Sequence, residues 1–382
     1  MSLDTLKQHF EEKFSHTPDI YVSSPGRVNL IGEHTDYNNG FVLPCALQYK
    51  THILATKRDD SLVKAYSLQY LDQPEEFDLN AEIAHGQWAW GDYLRGVAKE
   101  LLSQGHQLSG LNIFIDSQVP QGSGLSSSAA LEVAAGGLFN HVDSLGLSTQ
   151  QIARTGQLAE NNFIDCQCGI MDQLISAEAQ EQAALLIDCR DLSTRTVSIP
   201  DNLTLLVINS NYPRKLAESE YNERRTACEL AASTMGTPSL REANMDMLEK
   251  VREELGDVVY RRAKHIITEN QRVLDAEQAL SSADLPKLYE IMKEAHLALK
   301  HDFEITVPAT DGLVDICMEA LEGNGACRQT GGGFGGAVIC LCDKADVDKV
   351  ITAVEAKYEA QFNLKADILI CEPGAGLQAT AL

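Results

Sequence analysis

No stretch of this chain approaches the ~20 consecutive apolar residues that a membrane-crossing helix needs, so none is expected. The opening residues, MSLDTLKQHFEEKF, lack the basic start, apolar middle and small-residue cleavage site of a signal peptide, and a cytoplasmic protein is the expectation. Basic residues are scarce: 31 Lys and Arg face 55 Asp and Glu, a formal net charge of -24. A field of that sign repels nucleic acid and anionic membrane, so neither is expected as a partner. It also repels nucleotides, so a nucleotide site must be locally electropositive or use a divalent cation. The 10 cysteines include no CxxC pair. The close ones, Cys166/Cys168 and Cys340/Cys342, are CxC, without zinc spacing or a disulfide framework. Cys340 and Cys342 should share one face of an apolar strand (AVICLC), and buried reduced thiols are expected. Repeats and low-complexity tracts are absent. With 382 residues, 44% of them hydrophobic, the chain is long enough for two domains, or three, with ordinary cores.

What the chain does have is a turn suited to an anion. Leu111–Ser117 (LNIFIDS) alternates apolar and polar residues, the period of a half-buried strand. Leu125–Phe139 is rich in Ala, Leu and Val, lacks Pro and reads as a helix. Between them Gly122 and Gly124 precede Ser126, Ser127 and Ser128. Glycine lets the backbone approach a ligand, first-turn N–H groups have no partner within the helix, and the helix dipole adds roughly +0.5 charge there. Phosphate suits such a place, and serine hydroxyls can donate to it or ligate Mg²⁺. The same residues would also serve an ordinary turn with a serine N-cap. No Lys follows as the Walker loop requires, and Ser127 stands where the dinucleotide fingerprint needs its third Gly.

Toward the N-terminus, Leu3–Phe14 has the pattern of an amphipathic helix and Ile20–Ser23 that of a strand. Ser24–Gly40 (SPGRVNLIGEHTDYNNG) reads as loop-like at both ends, yet gathers Arg27, Glu33, His34 and Asp36. Strands are expected at Phe41–Leu43, His52–Thr56 and Leu62–Ser67, and a helix over 88–102. Ser148-Thr149-Gln150-Gln151 has capping-box form and opens a helix whose apolar face holds Ile152, Ala153, Gly156, Ala159 and Phe163. Glu160 flanks that stripe, where a lone carboxylate is costly, so a Lys or Arg partner or a metal ion is expected beside it. Asp172, among Ile170, Met171, Leu174 and Ile175, is either a helix cap or a functional carboxylate in an apolar pocket. Strands at Ala184–Asp188 and Leu203–Asn209 bracket polar residues 189–202, the candidate boundary between domains 1–200 and 201–382. Helices are expected near 217–233, 258–280, 286–300, 311–321 and 347–358, with strands at 337–342 and 366–371. TGGGFGG at Thr330–Gly336 contains GxGxxG, but a strand follows it, so the dinucleotide context fails. Its glycines imply unusual backbone, a close approach to another group, or a tight hairpin.

PxGxGLSSSA at Pro120–Ala129 resembles the ATP loop of the GHMP small-molecule kinases. GRVNLIGEHTDYN at Gly26–Asn38 is similar, at every fixed position, to the galactokinase signature. TGGGFGG, GIMDQ (Gly169–Gln173) and SEYNERR (Ser219–Arg225) extend the likeness over nearly the whole chain, which resembles the galactokinases of bacterial type. The resemblance implies an α/β (α+β) two-domain fold: an N-terminal mixed α/β sandwich, a C-terminal ferredoxin-like domain, and an active site in the cleft between them. It implies phosphorylation of the anomeric hydroxyl of α-D-galactose by MgATP, the first committed step of galactose catabolism. Glu33, His34, Thr35 and Asp36 match the sugar-binding stretch, and Asp172 and Tyr221 match further sugar contacts. Gly122, Ser123, Gly124, Leu125, Ser126, Ser127 and Ser128 match the ATP loop. Ser128 and Glu160 match the magnesium ligands, and Arg27 with Asp172 the catalytic pair. Gln329 replaces the usual Met or Leu, and Ala337 a frequent Cys, which should alter only local packing.

Those residue types suit the chemistry. Carboxylates such as Glu33 and Asp36 accept strong hydrogen bonds from sugar hydroxyls, and a wrong epimer leaves one unpaired. Phosphoryl transfer needs alignment and charge stabilisation, which Arg27 and a cation held by Ser128 and Glu160 supply. Asp172 would accept the hydroxyl proton or orient the nucleophile; both remain open. The competing functions are an N-acetylgalactosamine or other sugar 1-kinase, and a non-catalytic galactose and ATP sensor. A monomer or weak homo-oligomer is expected.

Overall fold

The computed structural model describes residues 2–120, 124–213 and 217–382. Gly122 and Ser123 of the expected ATP loop lie outside the described residues.

Helix α1 (Leu3–Phe14) is capped by Ser2, whose side chain accepts from the Thr5 N–H, and it buries Leu6 and Phe10 against Leu54 and Phe114. Strand β1 (Ile20–Asn29) is longer than its sequence suggests. Residues 24–29, expected as loop because of Pro25 and Gly26, continue the strand through a register shift between Pro25 and Arg27. Such a bulge accommodates a residue that has no N–H to give a ladder, and it re-aims the side chain that follows. Then come β2 (Phe41–Val42), β3 (Pro44–Lys57), β4 (Leu62–Ser67), β5 (Glu75–Asp78), α2 (Ala89–Ser103) and β6 (Leu111–Ser117). Helix α3 (Ser127–Asp143) begins later than expected, because Leu125 is drawn into the core and Ser126 adopts a left-handed backbone with φ 58°. Helix α4 (Thr149–Asn162) has the expected reciprocal cap between Ser148 and Gln151, and α5 (Met171–Glu178) follows.

Next are β7 (Ala183–Asp188), β8 (Ser193–Ser198) and β9 (Leu203–Asn209). The polar stretch 189–202 therefore holds a strand, β8, paired with β7; its residues are exposed except Val197, and so it reads as loop. The second half contributes α6 (Ala217–Thr234), α7 (Met245–Lys250), α8 (Arg252–Ser281), α9 (Leu285–Ala298) and α10 (Pro308–Leu321). Helix α8 kinks at Gly256, where φ is 70°, just ahead of the expected start. Strands β10 (Gly325–Gln329) and β11 (Ala337–Asp343), helix α11 (Val347–Phe362) and strands β12 (Asp367–Cys371) and β13 (Gln378–Ala381) complete the order.

Among the described residues the strands form three sheets. One runs β13-β1-β3-β6-β4-β5, with only β4–β6 parallel; a second runs β10-β11-β9-β12, all antiparallel; β2-β7-β8 form a third. The second sheet, with α10 and α11, is the ferredoxin-like β-α-β-β-α-β arrangement. Leu131, Ala134 and Leu138 of α3 pack on Ile53 and Ile113 of the first sheet. A core shared by the two halves joins Val28, Leu30 and Leu43 to Val207, Val273 and Ile339. Each large apolar side chain buried in this way contributes roughly 1.5–3 kcal/mol. All cysteines are free, and Cys340 and Cys342 are buried on one side of β11 with Cys317 and Cys327. Among the described residues no helix is long and apolar enough to cross a membrane.

Candidate active site

The β1 bulge aims Arg27 at the first turn of α5. The Arg27 guanidinium donates from Nε to Asp172 Oδ1 at 2.7 Å and from Nη2 to Oδ2 at 2.5 Å, a bidentate fork. Its Nη1 donates to the carbonyl of Gly124, tying the pair to the serine-rich turn. Ser126 Oγ donates to Asp172 Oδ2 at 2.5 Å. The left-handed backbone at Ser126 costs about 1–2 kcal/mol and directs the hydroxyl to Asp172, so this serine holds the N-cap position of α3 without a side-chain capping bond.

Asp172 and Arg27 line a cavity of about 290 Å³ with Glu33, His34, Asp36, Glu160, Tyr221 and Gly331–Gly333. The loop after β1 and the turn between β10 and β11 meet here. That turn is the TGGGFGG run: Gly331, Gly333, Gly335 and Gly336 all have positive φ, which explains glycine at those positions. It does join a hairpin, and it also forms a cavity wall. Glu33 is 1% exposed; Arg328 Nη2 donates to one of its oxygens and the Gly331 N–H to the other at 3.3 Å. Burial raises the Glu33 carboxyl above its ordinary pKa, while Arg328 opposes the rise.

His34 Nε2 lies 3.3 Å from the Gly332 carbonyl and Nδ1 2.8 Å from the Tyr37 hydroxyl. The carbonyl only accepts, so the proton is assigned to Nε2 and Tyr37 donates to Nδ1. Burial lowers the His34 pKa to about 3, so the ring is a neutral, fully engaged wall against which Tyr221 packs at 4.9 Å. Burial, then the charge of Asp172, raises Asp36 to about 6. Gly169 makes room for Asp36: a Cβ there would sit 2.0 Å from Oδ2. Thr35 departs from expectation. It is fully buried, does not line the cavity, and its hydroxyl bonds to the Gly32 and Phe41 carbonyls, holding the loop's shape.

A second recess, lined by Gly124, Leu125, Ser126, Ser127 and Ser128, shares Arg27, Asp172 and Gly332 with the first. Beyond it, Ser127 and Ser128 open onto an aromatic slot formed with Tyr70, Trp90 and Tyr93. Trp90 Nε1 is buried there without a hydrogen-bond partner among the described residues. This slot was not anticipated from the sequence; the signal for it was that both tryptophans, Trp88 and Trp90, fall at the start of α2.

Glu160 Oε1 lies 3.4 Å from Ser128 Oγ. Among the described residues Glu160 forms no ion pair. Its other oxygen accepts from Gln173 Nε2 at 2.7 Å and Cys168 Sγ at 3.3 Å. Burial first, then Asp172, raises its pKa, and Glu132 lies on the other side of Gln173 at 2.9 Å. Uncompensated acidic oxygens beside a hydroxyl fit Mg²⁺, which takes one or two protein ligands and completes its shell with phosphate and water. No group of three or more His, Cys, Asp or Glu among the described residues could hold a metal unaided.

Comparison with known proteins agrees with this geometry. Family models described as GHMP kinases N terminal domain and GHMP kinases C terminal match residues 92–179 and 276–360, and galactokinase galactose-binding signature matches residues 8–57. Methanococcus jannaschii mevalonate kinase superposes with a TM-score of 0.64 at 18% identity, over 93% of this chain and 98% of that one. Streptococcus pneumoniae phosphomevalonate kinase gives 0.64 at 11%, over 91% and 99%. At those identities the shared property is the fold, that of the GHMP kinases. Lactococcus lactis galactokinase, complexed with galactose, is 32% identical with a TM-score of 0.92, over 98% of this chain and 99% of that one. The chain belongs to the galactokinase family, ATP-dependent phosphotransferases with a hydroxyl acceptor.

Proposed function

We propose that the protein transfers the γ-phosphoryl group of MgATP to the anomeric hydroxyl of α-D-galactose, giving α-D-galactose 1-phosphate and ADP. One observation carries the reading: Arg27 and Asp172 belong at once to the acidic cavity and to the serine-lined recess. A donor in one and an acceptor in the other would meet at this pair. The adenine stacks in the aromatic slot, where Trp90 Nε1 awaits an acceptor. The phosphates lie along the N-terminus of α3, against Ser127 and Ser128. Ser128 and Glu160 hold the magnesium ion, which supplies charge neutralisation on the phosphates.

Glu33, Asp36 and Tyr221 engage sugar hydroxyls, and His34 closes the pocket floor. Thr35 has no substrate role. Asp172 accepts a hydrogen bond from the anomeric hydroxyl and orients its oxygen for in-line attack. The hydroxyl proton is lost to Asp172 as the new P–O bond forms, and Arg27 stabilises charge on the transferred group. A loose transition state asks more of alignment than of basicity, which suits a carboxylate held by two donors. The likeness to a galactose-bound relative and the galactose-binding signature support galactose over other sugars. The expected division into 1–200 and 201–382 needs one amendment: β13 returns to pair with β1, so Gln378–Ala381 belong with the sheet of the first proposed domain. ADP release measured with galactose, N-acetylgalactosamine and glucose tests the assignment. Turnover on galactose should dominate; a preference for either other sugar refutes it.

A further inference from the structure

Arg328 heads the fully buried side chains by size, and the phosphoryl transfer above does not use it. It projects from β10 toward the loop after β1. Nη1 donates to the Leu30 carbonyl at 2.9 Å and Nη2 to Glu33 Oε2. Glu269 of α8, itself fully buried, lies 3.7 Å behind that guanidinium. Glu269 accepts from the Gly32 N–H at 3.0 Å and from Arg272 Nε at 2.7 Å. His265 Nε2 reaches the Glu33 carbonyl at 3.2 Å. Between Leu30 and Glu33, the loop that precedes the cavity wall is thus gripped at carbonyls, an N–H and a side chain by β10 and α8 of the other half.

We propose that Arg328, backed by Glu269, is a positioning residue for sugar specificity: it fixes the Glu33 carboxylate in the one orientation that reads the correct hydroxyl. The proposal rests on Glu33 being a sugar contact. An ionised carboxylate has about four acceptor directions. Arg328 and the Gly331 N–H take one on each oxygen, which leaves each oxygen able to accept from a hydroxyl at the cavity wall. Rotation about the last side-chain bond would exchange those directions, and the paired donors prevent it. A pinned acceptor discriminates because a hydroxyl of the wrong configuration leaves a buried charge without its partner. Packing alone does not call for this arrangement, since well-packed apolar residues often replace a buried ion cluster without loss of stability. Balanced charge, Glu33 and Glu269 against Arg328 and Arg272, keeps the cluster tolerable where it is.

Steady-state kinetics of Arg328→Met, Arg328→Lys and Glu269→Gln, each checked for folding by thermal melting, test the proposal. Arg328→Met should raise the KM for galactose about ten-fold or more and leave the KM for ATP within about two-fold, because only the acceptor is displaced. Its galactose-to-glucose ratio of kcat/KM should fall by a similar factor. Arg328→Lys should recover part of both losses, and Glu269→Gln, which keeps an acceptor for Gly32, should show a smaller loss of the same kind. Equal losses in both KM values, or an unchanged sugar ratio in a folded variant, overturn the proposal. Should Arg328→Met fail to fold, the Lys and Gln variants decide it by the same two readouts. Wild-type protein inactive on galactose would defeat the galactose assignment, and the ratio would then be read on whichever sugar it does phosphorylate.

Discussion

Two arginine–carboxylate pairs border the acceptor cavity, and they differ in what the carboxylate has left to do. In the Arg328–Glu33 pair the side chains are 0% and 1% exposed, embedded among Glu269, Arg272 and the glycine-rich turn. In the Arg27–Asp172 pair the arginine is nearly as enclosed at 7%, but the aspartate is 27% exposed and stands where two recesses meet. The first pair sets a shape, and the second keeps a reactive oxygen within reach of both substrates. Burial of an ion pair therefore does not by itself separate architecture from chemistry; the accessible partner does.

The sharpest way to break the comparison is Asp172→Asn. It keeps the shape, removes the charge, and should lower kcat by about 10³-fold or more with ATP affinity little changed, while the melting temperature falls because Arg27 loses its charged partner. Near-normal kcat would erase the distinction drawn between the pairs. Gly169→Ala comes next. Its Cβ would collide with the Asp36 carboxylate, so the galactose KM should rise about ten-fold while the KM for ATP stays put. Both are read in one coupled assay.

A pH profile sharpens the contrast further. Asp36 is raised to about 6, so kcat/KM for galactose should fall on the acid side of about pH 6 as the free enzyme protonates it. Stability runs the other way. A carboxyl whose folded pKa exceeds its unfolded value destabilises the folded state in full above about pH 6, and that penalty fades as pH drops from 6 toward 4. Asp36→Asn should then be more stable than wild type at pH 8, by on the order of 2 kcal/mol, and the gain should vanish near pH 4. Denaturant melts at the two pH values check it. The smallest effect is expected from Gln329→Met. Gln329 is fully buried and its amide lies within hydrogen-bond distance of the Thr330, Gly335 and Ala337 carbonyls, bracing the glycine-rich turn. Its loss should raise the galactose KM about two- to three-fold, consistent with one neutral hydrogen bond.

Much of this was legible in the chain, for identifiable reasons. Arg27, Asp36, Asp172 and Ser128 sit in short fixed motifs, and the helices of the second half follow their apolar periodicity. What failed was local. Pro25 and Gly26 argued against a strand that tolerates them only through a bulge. Strand β13 is exposed throughout and β5 is short, so neither carries an alternation to read. The role of Arg328 was hidden because its carboxylate partner lies 295 residues away, and a charged residue inside a buried strand looks like a contradiction until that partner is in view. In the sequence Gln329 signals only a packing change, because its acceptors are backbone carbonyls that only the folded turn presents.

Strand β13 lies along the outer edge of β1, the strand that carries Arg27, with Ile20 opposite Ala381. Of the described elements it leaves the ribosome last. While the chain is being made, β1 must therefore keep one margin uncovered through the synthesis of both lobes, open to a neighbouring nascent chain. Production of this enzyme in crowded cells should accordingly be most vulnerable to clumping in the interval before that final clasp closes.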